Sequence, residues 1–472
     1  MTISPPHTIE SRWIWYNPQL MENTPIAIVG MGCRFAGAGG LRAFWRKITG
    51  GRSCFTPLAR EAAMPIGMKS MFGAAYPTCG GQLGDLYSCR PFEQTFPRQI
   101  NSGENQDLYF VTQLAFDALQ DAGMRPRSPE PRRGTVRLAY APVFNAPVVN
   151  WLDHTFFLEQ TIDVLRRFFP GATETYMENV RTKLRDSLPA PDADSLFAAA
   201  GHRIADWIAR ESSFSGAATA LDGGVLSGLS AVEAAVDDLL SGRADVALAG
   251  AVFPPLSRPV LEGMSGKIAF SEAAELLPFD RDACGTLPGE GGAFFVLKRR
   301  NDALAAHDRI YALVRGSVTA SGPIPVGECA EAAKAPLSTI AMIEADGAGF
   351  PDSDAQDVET VQKLWGPHRP GGPLVGIGSV KGTVGHCFIA AAAASLVKVA
   401  QALHVRVLAP QVAVPHPLEM LANVSSSAYL LDRARPWITG DPSLPRRAMV
   451  CAKDFEGRSA AMLVEEEPED RR

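Results

Sequence analysis

The chain has 472 residues, 46% of them hydrophobic and 20% charged, with 43 Gly and 36 Pro. That length can bury one large core or two fused ones, and the Gly and Pro content suits an α/β protein with many tight turns. A net charge of −6, with no long Lys/Arg block, argues against nucleic-acid binding.

Residues 1–24 read as an irregular leader whose aromatics Trp13, Trp15 and Tyr16 dock on the body or on a partner. Pro25–Gly30 is a β-branched run ending in glycine, which predicts a buried strand. Leu41–Thr49 reads as a short helix, and residues 55–100 as an irregular Pro/Gly/Cys-rich stretch. Asp107–Ala122 has helical apolar spacing and stops at Gly123, a suitable C-cap. Arg137–Val143 is a predicted strand. Residues 145–200 hold an aromatic-rich stretch and a charged helical stretch, Glu174–Arg185, read as a cap over a site or interface.

Ala220–Gly250 is the most informative segment: a strand end, a tight Asp222-Gly223-Gly224 turn, an apolar-periodic helix and a following strand. Such strand–turn–helix elbows expose one side chain at a helix N-terminus, where the dipole favours a thiolate or oxyanion. Here the tip is Val225, which cannot attack a thioester. Gly285–Lys298 then reads as a Gly-rich turn and a strand, and Arg309–Ala320 as another strand. Its GTLPGEGG lacks the Lys-Ser/Thr of a phosphate-binding loop. Helix and strand alternate to about Val464, and the end EEEPEDRR reads as a solvated tail.

The eight cysteines are scattered, with no CxxC and no metal-ligand spacing to the eight histidines, so no zinc site is expected. With no signal peptide evident, the chain reads as a reduced, cytosolic protein. No apolar run is expected to reach membrane-spanning length, and the Ala-rich stretch near Phe388–Ala394 reads as a buried helix.

Taken together, several segments in order resemble the β-ketoacyl synthase family of the thiolase superfamily, over about Pro25–Glu466. They are IAIVGMGCRFAGAGGLRAFW (Ile26–Trp45), SGRADVALAGAV (Ser241–Val252), FDRDACGTLPGEGGAFFVLKRRNDALAAHDRIYALVRG (Phe279–Gly316) and GSVKGTVGHCFIAAAAASLVK (Gly378–Lys398). GHRIADWIARESSFSG (Gly201–Gly216) and DVETVQKLWG (Asp357–Gly366) look closest to iterative synthases, as in polyunsaturated fatty acid and enediyne systems. The resemblance implies an α/β fold, the five-layered αβαβα thiolase fold built as two similar halves. The halves are read as 25–285 and 286–466, after the leader and before a tail at 467–472.

The family's chemistry needs a thiolate, two imidazole donors and an oxyanion hole of backbone N–H groups. By the resemblance, Val225 stands at the cysteine position and Asp346, in IEADGAGF, at that of the first histidine. An ionised carboxylate cannot donate a hydrogen bond and repels an enolate. Lys381 and His386 match the retained lysine and second histidine. In DFEGRSAAM (Asp454–Met462), Phe455 and Gly457 are retained, but Glu456, Arg458 and Ser459 replace small residues.

Ser227 and Ser230 are weighed as substitute nucleophiles, with His386 the one base in view, against local backbone bonding. Asp346 is read as the ion-pair partner of Lys381 rather than as a base, and Cys284 and Cys387 as small core residues. The functional expectation is a chain-length-factor-like subunit without independent condensing activity. It would form a heterodimer with a Cys-containing ketosynthase through the elbow-bearing half, burying on the order of 2,000 Å² or more. Chain length factors usually carry Gln at the elbow, so Val225 also departs from that pattern. No cofactor is expected to be bound; the phosphopantetheine of an acyl carrier protein would be presented by the partner. The alternatives are a non-catalytic docking homodimer, or a repurposed acyl-transfer or cyclisation enzyme.

Overall fold

Strand side chains alternate between two faces, and here both faces are apolar. In Ile26–Phe35 (β1), Ile26 and Ile28 enter one core while Ala27 and Val29 enter another. The same alternation divides Val246–Phe253 (β4), Gly291–Arg299 (β5), Arg447–Lys453 (β10) and Arg458–Glu465 (β11). Strands buried on both faces must be covered on both, which dictates layers of helix on either side.

A computed structural model describes residues 24–59, 70, 73, 75–87, 106–140, 147–187, 201–369, 372–423, 425–441 and 443–468. The leader aromatics, most of 60–74 and 88–105, and the last four residues lie outside the described residues.

The remaining main-sheet strands are Gly134–Ala139 (β2), Ala218–Leu221 (β3), Ala312–Ser321 (β6), Ile340–Glu344 (β7), Val375–Gly378 (β8) and Ala428–Leu430 (β9). The strand order is β9-β8-β7-β10-β11-β6-β1-β5-β4-β2-β3. Reading outward from the centre, β1-β5-β4-β2-β3 and β6-β11-β10-β7-β8 share one pattern. Two antiparallel pairings are followed by two parallel ones in each. A three-residue antiparallel contact, Ile26↔Val314 to Ile28↔Ala312, joins them. These are the two similar halves, and pairing divides them between Arg299 and Ala312, later than the 285/286 division read from the sequence.

Between the halves lie Ser227–Leu240 (α6) and Ala391–Val405 (α11). Every α11 residue from Ala391 to Leu403 is buried, and its alanines let the two halves of the sheet approach. The outer layers are Gln106–Asp121 (α2) with Gly201–Glu211 (α5) on the first half, and Val326–Ala332 (α8) with Pro351–Trp365 (α9) on the second. This is the five-layered αβαβα fold. Phe388–Val405 is long and apolar enough to cross a membrane, contrary to the sequence reading, but 89% of it is buried in this central layer. Close layer contact also explains glycines in β1: a Cβ at Gly32 would lie 2.6 Å from the Leu114 carbonyl oxygen of α2.

Leu41–Thr49 (α1) and Glu174–Arg185 (α4) match their predicted bounds. The strand expected at Arg137–Val143 begins at Gly134, because its parallel pairing with β4 starts at Gly134↔Val246; residues 141–146 lie outside the described residues. The 145–200 stretch contains a hairpin of Pro147–Phe168 (α3) and α4. The remaining elements used below are Arg258–Ser265 (α7) and the single turn Lys381–Val384 (α10).

The expected solvated tail is corrected at its first three residues. Glu465, Glu466 and Glu467 are buried and salt-bridged to Arg447, Arg446 and Arg300 at 2.6, 2.9 and 2.6 Å. Buried carboxylates persist when paired, and the arginines that hold these come from distant segments, which local sequence does not reveal.

Candidate active site

The elbow forms as its sequence requires. Edge strand β3 ends at Leu221, and Gly224 takes φ +68°, a left-handed value that favours glycine. Gly224–Leu226 makes one 3₁₀ turn before α6 begins. Val225 sits at the tip, 4% exposed. Ser227 accepts a hydrogen bond from Gly223 N–H at 2.7 Å, and the Ser230 hydroxyl donates to the Leu226 carbonyl at 3.3 Å. Both serines serve the backbone of the turn, as the blander sequence reading expected.

Val225 lines a largely apolar cavity of about 640 Å³. Phe253, Met264, Phe388 and Phe455 form other walls, with Lys267 and Arg458 also on the lining. Elements of both halves contribute: the elbow and α7 from the first, the 386–389 segment and the β10–β11 loop from the second. In that loop the Asp454 carboxylate accepts from the Glu456 and Arg458 N–H groups at 3.0 and 2.8 Å, which closes the turn around Gly457.

His386 is fully buried behind this wall. Its ring stacks on Phe388 at 4.6 Å and tilts against Phe455 at 5.5 Å. Nδ1 accepts the Phe388 N–H at 3.0 Å. A nitrogen that accepts carries no proton, so the neutral ring is protonated on Nε2. Burial, reinforced by the Lys381 charge, lowers the His386 pKa to about 3, so the ring is neutral at pH 7. Its buried Nε2 has no hydrogen-bond partner among the described residues.

Asp346 follows β7 and Lys381 opens α10. The lysine Nζ lies 2.6 Å from Asp346 Oδ1 and 2.8 Å from the Asp346 carbonyl oxygen. Oδ1 also accepts the Lys453 N–H at 3.0 Å. Burial opposes the charge of Asp346, but Lys381, His386 and Lys453 overcome it and hold the carboxyl below its ordinary range. The expected ion pair is therefore present, and its carboxylate is engaged. Of the four residues singled out by sequence, Asp346, Lys381 and His386 form one electrostatically coupled group; Val225 is on the cavity wall formed with His386's stacking partners.

Sequence reading missed the rest of this buried set. Lys398, midway along apolar α11, lies 2.6 Å from Glu344, and both are fully buried. A lysine inside an all-apolar helix was the available signal, because a buried charge demands a partner. Lys453 lies 2.7 Å from Asp357. Asp354 accepts the Phe279, Gly349 and Ala348 N–H groups at 2.9, 3.2 and 3.1 Å, tying three loop positions together. Four carboxyls (Glu344, Asp346, Asp354, Asp357) thus face three lysines (Lys381, Lys398, Lys453). Burial raises Asp354 to about 7 and Asp357 to about 6.

That shift predicts a pH signature. In the unfolded chain an aspartate titrates near 3.9; in the folded chain Asp354 titrates near 7. Its contribution is full below the unfolded value and lost as pH rises through the folded one. The stability of wild type minus that of Asp354→Asn is expected to fall between about pH 4 and 7, then level off. Thermal melts of both proteins across that range check this; a difference that grows with pH would contradict it.

Cys387 is fully buried, as the core reading has it, with its thiol pushed up by burial; Cys284, read as a core residue too, is instead exposed beside Ser271 at 3.2 Å, and neither is at the elbow tip. Among the described residues, Asp280, Asp282 and His416 come together as a group of possible metal ligands. They already bind one another and the backbone: His416 Nδ1 lies 2.8 Å from Asp282, and Asp280 accepts the Asp282 and His416 N–H groups at 2.8 and 2.9 Å.

Five layers, two pseudo-equivalent halves and an elbow facing a lysine–histidine segment define a thiolase-type scaffold. Comparison with known proteins sharpens the class. Beta-ketoacyl synthase, N-terminal domain, matches residues 23–303, and Beta-ketoacyl synthase, C-terminal domain, matches 325–414. The chain belongs to the β-ketoacyl synthase family. It is 26% identical to a polyunsaturated fatty acid synthase polypeptide of Thraustochytrium over 95% of this chain, and 28% identical to polyketide synthase PksL of Bacillus subtilis over 93%. It spans only 16% and 10% of those proteins. The ketosynthase from module 6 of the B. subtilis bacillaene synthase superposes with a TM-score of 0.72 at 23% identity, covering 94% of this chain and 72% of that one. An oxazolomycin ketosynthase domain from Streptomyces albus gives 0.71 at 23% identity, covering 94% and 76%.

Proposed function

We propose that this chain is a chain-length-factor-like subunit without a nucleophilic cysteine. It pairs with a Cys-containing ketosynthase in polyketide or fatty-acid-type elongation and shapes the space for the growing acyl chain. The observation that carries this reading is Val225, an inert side chain at the elbow tip on the wall of a 640 Å³ apolar cavity. Two further features support it. Asp346 is locked to Lys381 where the resemblance calls for an imidazole donor. His386 remains a neutral ring whose Nε2–H has no partner among the described residues, suited to donating to a carbonyl but not to forming a thioester.

Among the described residues, strand β3 ends the sheet beside the elbow, and the partner ketosynthase pairs along that edge in this reading. The partner also receives the acyl carrier protein, whose phosphopantetheine arm delivers substrate; this chain holds no cofactor of its own. The matched polyketide and polyunsaturated fatty acid synthases support that setting.

The wall residue Met264 tests the reading. It lies on α7, half-buried at the cavity lining. In a reconstituted pair, Met264→Ala is expected to lengthen the main product and Met264→Trp to shorten it. Overpacking an apolar pocket costs about 1–3 kcal/mol, enough to disfavour one more extension by roughly 5- to 150-fold. Mass spectra of the released products read the outcome; an unchanged distribution in both variants would remove the length-setting role.

A further inference from the structure

Helix α3 is apolar on two faces. One face packs on α4, where Leu158, Ile162 and Met177 are buried. The other points outward: Phe157 is 54%, Val164 48% and Phe168 76% exposed, with Thr161 exposed between them. Thr161 donates its hydroxyl to the Phe157 carbonyl at 2.9 Å, so its hydrogen-bonding need is met within the helix. Phe156, 74% exposed, flanks the stripe.

Exposed phenylalanines in register are uncommon on a free surface, and a patch of this kind marks an interaction site. Several charges of the hairpin are tied up in pairs with one another. Arg166 is paired with Glu174 at 2.5 Å and Arg181 with Glu159 at 2.9 Å, linking α3 to α4. We propose that this face of the α3–α4 hairpin joins two copies of this chain, α3 against α3, in antiparallel order.

The stripe itself names the occupant. Phe157, Thr161, Val164 and Phe168 are spaced by four, three and four residues, the seam spacing of paired helices. The spacing reads the same from either end, with an aromatic at each end and a small residue inside. An antiparallel pair centred between Thr161 and Val164 sets Phe157 against the second copy's Phe168, and Thr161 against its Val164. Each contact then occurs twice, which is the isologous form of a two-fold interface. Exposed phenylalanine and valine surface amounts to on the order of 500 Å² per copy. Both copies together bring roughly 1,000 Å² of apolar area, the threshold for a specific interface before any polar rim is added. The inference uses no residue of edge strand β3, so it does not rest on the pairing with a ketosynthase. If both hold, the assembly contains two copies of each chain.

The test is light scattering on the full chain alone, across a micromolar dilution series. Phe157→Glu and Phe168→Glu are expected to weaken self-association by at least about 30-fold each, because each change removes an aromatic anchor twice in the two-fold pair. Tyr176→Glu, on α4 and outside the stripe, should leave it unchanged. Circular dichroism melts control for folding. A Thr161→Cys, Val164→Cys chain should also cross-link between copies at these two positions, located by peptide mass mapping. A monomeric wild type, or a dimer that ignores both glutamates and gives no 161–164 cross-link, overturns the proposal.

Discussion

Lys381→Met lowers the unfolding free energy by roughly 3–5 kcal/mol, a large share of the 5–15 kcal/mol typical of a domain. The reason is the carboxylate it leaves behind. Asp346 is buried, and Lys381 is the partner that touches both its side-chain and its main-chain oxygen. Removing the lysine strands a charge in a site that already holds an excess of carboxyls. Removing both partners is less costly. In Asp346→Leu, Lys381→Met no charge is stranded, and the largest remaining defect is the Lys453 N–H that Asp346 accepted, worth about 1–3 kcal/mol. Denaturant titrations of the two single variants and the double variant measure this. A double variant as unstable as the sum of the singles would mean that the pair is not the unit holding this region together.

Val225→Cys does not restore condensation. A thiol at that position is buried on the wall of a cavity that Phe253, Phe388 and Phe455 also line, and burial in apolar surroundings disfavours the thiolate. The carboxylate of Asp346 adds repulsion toward a developing enolate where the family supplies a donor. Replacing it restores one donor, so Val225→Cys, Asp346→His is expected to exceed Val225→Cys by about 10²–10³ in malonyl decarboxylation rate. Its stability falls, because Lys381 loses its partner. The single and double variants are compared for acyl loading by mass spectrometry and for released carbon dioxide. Condensation by Val225→Cys alone would show that Asp346 is no obstacle and would return the chain to the active synthases.

Local chemistry was legible where the decision is local. The β-branched run at Pro25–Gly30, the Gly123 stop after α2 and the charged periodicity of α4 each fix their own element. So does the elbow, because Gly224 and the apolar helix after it admit few other backbones. The Asp346–Lys381 pair was legible only through the resemblance, since 35 residues separate its members. The Glu344–Lys398 pair was not read, although Lys398 announces itself as a charge inside an apolar helix, and the three tail glutamates were read as solvated because they open a run of charges. The arginine partners of the glutamates lie 18 to 167 residues away, and single-sequence patterns carry no such distance. The outward face of α3 was hidden for another reason. Leu158, Ile162, Phe157 and Phe168 are all apolar, and only the packing on α4 decides which of them face solvent.

The central claim is that this chain acts as the inert half of a pair. Native mass spectrometry of the chain co-expressed with a Cys-containing ketosynthase tests it most directly. Equal numbers of the two chains, as a 1:1 or 2:2 complex, are predicted, and charged substitution in edge strand β3 should break the contact between unlike chains. A chain that assembles only with itself, or remains alone beside the ketosynthase, would contradict the account.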